Sequence, residues 1–167
     1  MKIKSRILHI DDLNDYRNIR LELLKENPTN FGSSVEEESQ FDDAMWERRL
    51  NNKNTTSIAA YHDGEIVGIC VIVKNPRLKM MHIAHLNSMY VKPNYRRNGI
   101  SKGLLDYSFD FLQGSDVEIL HLSVVEHNEN AIALYKKVGF KEIGIEPATI
   151  KYQEKYYNLI LMNKNMK

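Results

Sequence analysis

Asp63-Gly64 stands between two β-rich runs, Thr55–His62 and residues 65–73, and restricts the fold more than any other feature of the chain. Asp-Gly supplies the positive φ that a tight turn needs, so the runs read as an antiparallel hairpin around which the remainder must assemble. Upstream the period is helical. Leu13, Tyr16, Ile19, Leu23 and Leu24 recur at helical spacing until Asn27-Pro28 ends the pattern. A strand over residues 3–10 precedes that helix, with Asp11, Asp12 and Asp15 placed to cap it. A second helix is expected at Ala44, Met45, Trp46, Arg49 and Leu50, capped by Asp42 or Asp43 and closed by Asn51-Asn52. Between the helices, residues 31–40 form a polar, acidic connector that reads as a flexible lid.

Downstream, residues 80–91 form a further strand, broken by Pro93. Ile100, Leu104, Ser108, Phe111 and Leu112 mark a helix, residues 117–125 a strand, and residues 131–138 a short helix ending at Gly139, an αL cap. Strands around residues 140–145 and 156–162 follow. The order β-α-α-β-β-β-α-β-α-β-β mixes hairpins with strand-helix-strand crossovers. It predicts an α/β fold of mixed, α+β-like character: one mixed sheet covered by helices. With 167 residues, 43% hydrophobic and 27% charged, residues 1–167 fit one domain with one sizeable core.

The net charge of +1 gives no global attraction to nucleic acid or to an anionic membrane. The basic start has no apolar segment behind it, because His9, Asp11 and Asp12 intervene. The longest apolar run, residues 66–73, is strand-sized, far from the ~18 residues that span a bilayer. The expectation is a cytoplasmic protein with no membrane or nucleic-acid partner. Cys70 is the only cysteine, which excludes an intramolecular disulfide and a cysteine-rich metal site; within its apolar run it reads as a small buried hydrophobe. His9, His62, His82, His85, His121 and His127 show no shared ligand spacing, so no metal is expected.

The strand over residues 86–91 runs through Lys92-Pro93-Asn94-Tyr95 into Arg96-Arg97-Asn98-Gly99-Ile100-Ser101, where the next helix begins. The first N–H groups of that helix lack internal partners and their dipoles favour an anion. Gly99 admits close approach of a ligand to the main chain, and Arg96 and Arg97 add charge. An ordinary capped turn with two solvated arginines fits the same residues. The G-x-x-x-x-G-K-[ST] and G-x-G-x-x-G phosphate loops are absent.

Two motifs carry a resemblance. Arg96-x-x-Gly99-x-Ser101 is similar to the [QR]-x-x-G-x-[GA] signature of the GNAT superfamily of acetyl-CoA-dependent N-acetyltransferases, with Ser101 a departure from Gly or Ala. Asn128-Glu129-Asn130-Ala131-Ile132-Ala133-Leu134-Tyr135-Lys136-Lys137-Val138-Gly139-Phe140 resembles that superfamily's N-x-x-A-x-x-x-Y-x-x-x-G-F run. The resemblance covers about residues 58–162. It implies a largely antiparallel mixed sheet with a splayed pair of parallel strands and helices on both faces. It also implies acetyl-CoA as co-substrate, held by Arg96, Arg97, Asn98, Gly99, Ile100 and Ser101 and by backbone groups of Met89, Tyr90 and Val91, which the pantetheine arm would meet as an added strand.

By the same resemblance, Asn128 hydrogen-bonds pantetheine and Tyr135 protonates the departing thiolate, a task suited to a phenol with a reference pKa of ~10. Each has a plain structural alternative, a helix start for Asn128 and a packed helical ring for Tyr135. For the general base, counting back from Arg96 lands on His85, whose imidazole suits neutral pH. The other position used in the superfamily holds Ser123, which cannot serve. Glu126, His127 or water are alternatives. The expected reaction is acetyl transfer to an amine of a small molecule or peptide by direct attack, with a non-catalytic acyl-CoA-binding or regulatory module as the competing function. Residues 27–52 and a loop over residues 146–157 should set the acceptor. Glu36-Glu37-Glu38 and Asp42-Asp43 there either attract a cationic substrate or form a solvated acidic face. A homodimer would form through a late strand.

Overall fold

A computed structural model describes residues 1–167. Its strands are β1 (Lys4–Ile7), β2 (Thr55–His62), β3 (Glu65–Lys74), β4 (Ile83–Val91), β5 (Ile119–Val125), β6 (Lys141–Tyr152) and β7 (Lys155–Asn165). The helices are α1 (Leu13–Glu26), α2 (Val35–Glu38), α3 (Asp43–Leu50), α4 (Ile100–Leu112) and α5 (Glu129–Lys137). Asp63 and Gly64, at φ 48° and 85°, turn β2 into β3 as the Asp-Gly pair requires. The strands form one seven-stranded sheet in the order β1-β2-β3-β4-β5-β7-β6. Only β4 and β5 are parallel; every other neighbouring pair is antiparallel. This is the mixed α/β fold class that the element order predicts.

Alternation along the strands sends side chains to two cores. Ile58, Cys70, Ile72, Leu86 and Leu120 pack with Leu104 and Leu112 of α4 and Tyr135 of α5. Ala59 and Ile69, one position away, pack with Tyr16, Ile19 and Leu23 of α1 and Trp46 of α3. Helices therefore cover both faces. No helix is long and apolar enough to cross a membrane.

Several local readings differ from the structure. The first strand ends at Ile7, and a 3₁₀ turn over Ile10–Asp12 precedes α1. Asp12 does not cap α1 with its side chain, because its carboxylate accepts the His9 N–H at 2.8 Å and pairs with Arg6 at 2.7 Å. Residues 146–157 are not a loop. β6 and β7 continue as a ribbon that turns at Gln153 and Glu154, both left-handed at φ 47° and 60°.

Residues 31–40 are not a free lid either. Ser34 caps α2, its hydroxyl accepting the Glu37 N–H at 3.2 Å while Glu37 returns the bond to the Ser34 N–H at 3.0 Å. That turn points Glu38 inward, where it is 1% exposed. Arg20 of α1 grips its carboxylate through two N–H groups at 2.8 and 2.7 Å, and Arg49 of α3 adds a third contact at 2.7 Å. Asp42 and Asp43 are also committed locally: Asp42 caps α3 by accepting the Met45 N–H at 2.8 Å, and Asp43 pairs with Arg17.

Burial would push the Glu38 carboxyl up, but hydrogen bonds and charge from Arg20 and Arg49, with Ser33 adding to them, hold it down to about 2. A folded-state value below the ordinary 4.5 means that the pair stabilises the fold above about pH 4.5, and that this contribution is lost as pH falls toward 2. Glu38→Gln leaves the buried Arg20 guanidinium and the half-buried Arg49 without a carboxylate, so stability at pH 7 should fall by about 3 kcal/mol. Urea unfolding from pH 7 to pH 3 should show the wild type approaching the variant as the pH drops; parallel curves would show that Glu38 is not the linked group.

Candidate active site

β4 and β5 share a ladder at only three positions, Ile83↔Ile119, Ala84↔Leu120 and His85↔His121. Beyond His85, β4 runs on to Val91 and β5 to Val125 without pairing. The cause lies in β4. Its register against β3 shifts between Ile69 and Val71, and Ser88 sits there at φ 56°, a bulge that bends the strand away from β5. β3 supports β4 on its outer side and β7 supports β5 over its whole length, so neither splayed strand loses its place in the sheet.

A cavity of about 930 Å³ fills the gap and is lined from both faces of the sheet. Ile100, Leu134 and Tyr135 belong to the α4–α5 side, and Arg20, Ser33 and Arg49 to the α1–α3 side. Residues 86–91 and 123–125 form its two edges. The cavity thus passes through the sheet, which allows ligands arriving from opposite faces to meet in the gap.

At one end stands the loop after β4. The Arg96 Nε–H donates to the Val91 carbonyl at 3.0 Å, and its guanidinium lies 5.9 Å from the Tyr90 ring centre. The Tyr90 hydroxyl in turn donates to Glu22 at 2.9 Å, anchoring β4 to α1. The Asn98 side-chain amide donates to the Tyr95 and Arg96 carbonyls at 3.2 and 3.1 Å, bracing the loop, and the residue lies outside the cavity lining. Arg96, Arg97, Gly99, Ile100 and Ser101 do line it, as do Met89, Tyr90 and Val91. Gly99 precedes α4 at φ 77°, no side chain caps the helix, and a Cβ built on Gly99 meets no atom within 4 Å. The first turn of α4 therefore opens onto the cavity, with space for an anion. An elongated anionic ligand such as a CoA ester fits these residues.

Tyr135 lies on the cavity wall, 6% exposed, with its ring 5.7 Å from Phe140. Burial pushes its phenol up, with Cys70 adding to the effect. Asn128 caps α5 by accepting the Ala131 N–H at 3.3 Å through its amide oxygen, which leaves its amide N–H groups uncommitted to that cap, and the residue lines the cavity. The helix-start role and a ligand role are thus compatible in one side chain.

The structure does not bring His85 to the cavity. His85 occupies the last rung where the parallel strands are still joined, its ring 5.5 Å from His121, and the lining begins at Leu86. Glu126 accepts from Asn158 and His127 packs on Tyr157; neither lines the cavity, whereas Ser123 does. Among all lining residues there is no His, Asp, Glu or Cys, and the charged ones are Arg20, Arg49, Arg96, Arg97 and Lys102. Cys70 is buried 3.3 Å from the Ser108 hydroxyl, and burial pushes its thiol up to about 12. No group of three or more His, Cys, Asp or Glu side chains is placed to hold a metal ion.

Sequence reasoning missed Arg20 and Arg49. A signal for Arg20 was present: it lies four residues after Tyr16 and four before Leu24, on the apolar stripe of α1, where an arginine needs a buried partner.

The profile of the Acetyltransferase (GNAT) family matches residues 19–140. The chain is similar to N-alpha-acetyltransferase RimI of Mycobacterium tuberculosis, 29% identical over 102 residues that make up 61% of this chain and 62% of that protein. It is also similar to the [ribosomal protein bS18]-alanine N-acetyltransferase of Escherichia coli K12, 40% identical over 62 residues, or 37% of this chain and 42% of that one. The chain thus spans less than two thirds of the length of these curated relatives. In fold, a GNAT-family acetyltransferase from Streptococcus pneumoniae superposes with a TM-score of 0.82 at 23% identity, over 99% of this chain and all of that one.

Two glycines of this segment separate conformational need from mere space. Gly99 is left-handed and Gly103 is helical, and a Cβ meets nothing within 4 Å at either. Gly99→Ala should destabilise the protein by about 1–2 kcal/mol, whereas Gly103→Ala should stabilise it by about 0.5–1 kcal/mol. Urea denaturation of both variants checks the opposite signs.

Proposed function

The chain belongs to the acetyltransferase (GNAT) family, and from that premise we propose that it moves the acetyl group of acetyl-CoA to a primary amine. One observation carries this reading: a cavity through the sheet that runs from the open first turn of α4, past the unpaired edge of β4, to the phenol of Tyr135. Acetyl-CoA supplies a thioester; the amine nitrogen attacks its carbonyl carbon, the new C–N bond forms, the C–S bond breaks, and CoA leaves as its thiol.

The residues divide the work. The N–H groups that begin α4, with Arg97 and Lys102 beside them, hold the pyrophosphate. Met89, Tyr90 and Val91 offer backbone groups that β5 does not use, so pantetheine adds there as a strand would, and an N–H of this edge stabilises the oxyanion. The Asn128 amide donates to the same arm. Tyr135 keeps its proton at neutral pH, since burial raises its pKa, and donates it as the thiolate departs. With no carboxylate or imidazole in the lining, the amine enters as its free base and its proton goes to water.

Acetyl-CoA at ~100 times its Kd should raise stability by about 2.7 kcal/mol, read as a rise in melting temperature. Gly99→Val should lose that rise. An unchanged melting temperature of the wild type at millimolar acetyl-CoA would remove the reading altogether.

Tyr135→Phe keeps the packed ring and should lower kcat by roughly 10²-fold with little change in acetyl-CoA affinity. If turnover stays at the wild-type rate while the melting temperature shifts, the tyrosine is only structural. His85→Gln should leave kcat/KM within about twofold, and kcat/KM should rise with pH along the titration of the acceptor amine. A tenfold loss in that variant would restore His85 as the base.

A further inference from the structure

The acceptor end of the cavity carries an unbalanced positive charge. Arg20 and Arg49 share one carboxylate, that of Glu38. No other acidic side chain pairs with either guanidinium, and no acidic residue lines the cavity. The two arginines are not equivalent. Arg20 is 6% exposed and already gives N–H groups to both Glu38 oxygens and, at 2.8 Å, to the Ser88 hydroxyl. Arg49 makes one ion-pair contact, keeps 32% of its side chain exposed, and lines the cavity. Its guanidinium lies 5.8 Å from the ring centres of both Phe41 and Trp46, which fix its direction. Through Ser88 the cluster touches β4 at the bulge, one residue before Met89.

A cationic wall with no counter-charge disfavours a polyamine, whose second ammonium would face Arg49. It favours an acceptor that brings its own anion, because a guanidinium with free N–H groups in a partly enclosed site binds a carboxylate through paired hydrogen bonds. We infer that the acceptor amine carries a carboxylate, which Arg49 holds, with Arg20 and Ser88 positioning the cluster against β4. This rests on the acetyltransferase reading and names its substrate class. The anion has two sources, the carboxylate of a free amino acid or an acidic side chain next to a peptide N-terminus.

The test measures CoA release by the full chain with the common L-amino acids, their carboxamides, spermidine, and C-terminally amidated peptides bearing Asp or Ala at the second position. Carboxylate-bearing amines should exceed their amides at least ~10-fold in kcat/KM; whether amino acids or Asp peptides lead identifies the source. Arg49→Gln should raise KM for the best of them by roughly 10- to 10²-fold, with kcat and the acetyl-CoA-induced rise in melting temperature preserved. Arg49→Lys keeps the charge and the pairing with Glu38 but loses the fork, and should fall between; it carries the test if Arg49→Gln does not fold. Amides or spermidine used as well as carboxylate amines, an unchanged KM in both variants, or acetyl-CoA that binds without turnover with any of the amines would each overturn the inference. Failure of acetyl-CoA to bind at all would instead defeat the acetyltransferase reading beneath it.

Discussion

Past His85, β4 and β5 stop pairing inside a continuous sheet, leaving the facing backbone groups of residues 86–91 without a strand partner. Unpaired main-chain groups in a fold's interior are costly, and a gap of this kind persists only where the surroundings over-determine it. Both outer ladders do so here. β5 is held by β7 at seven register positions, from Ile119↔Asn165 to Val125↔Leu159, and β4 by β3 on both sides of its bulge. The Tyr90–Glu22 bond ties the bent half of β4 to α1, and the Arg96 side chain ties the following loop back to Val91. The strained position, Ser88 at φ 56°, is the one whose hydroxyl is gripped by Arg20. The edge offered to a ligand is thus a consequence of how the sheet is braced, and the α4 loop follows because β4 delivers the chain to it.

The helices before the hairpin serve the same gap from the other face. α1 and α3 pack through Tyr16, Ile19, Leu23 and Trp46, with Val35 of α2 at the margin, and Glu38 adds a fixed point by binding an arginine from each neighbour. A buried ion cluster is weak as a source of net stability, but leaving any member unpaired is expensive, so the arrangement selects one packing of the helices over others. The selected packing turns Arg49 toward the cavity and keeps every carboxylate out of it. An acidic stretch in the sequence therefore builds a cationic wall.

Much of the fold was legible because its signals are local. Asp63-Gly64 marks a turn through φ, Asn27-Pro28 ends a helix through a missing donor, and Gly139 closes α5 in the left-handed region at φ 99°. The loop after β4 and the run from Asn128 to Phe140 were equally readable, and the cavity collects most of the residues they pointed to. Where the structure departs from the local reading, the cause is a partner that no local pattern names. Counting back from Arg96 placed His85 on the right strand, but the rung at which that strand parts from its neighbour is set by a bulge against β3, and it leaves the imidazole beside His121. Asn98 lay in the motif, yet its amide meets two nearby carbonyls of its own loop. Residues 146–157 read as a loop, while pairing with β7 carries β6 across an irregularity between Glu146 and Ile150, where Ala148 is left-handed at φ 52°, to the turn at Gln153 and Glu154.

The sequence by itself determined the periods, the turns and the strand-loop-helix step, since each depends on dihedral preference and on side chains a few positions apart. Only the tertiary structure decided which charges neutralise one another and what sign the cavity presents. Glu36-Glu37-Glu38 reads as acidic along the chain, but the Ser34 cap rotates Glu38 between Arg20 and Arg49, residues 18 and 11 positions away in sequence and 2.7 Å away in space. Coulomb energy depends on distance through space and on burial, neither of which is a property of sequence order.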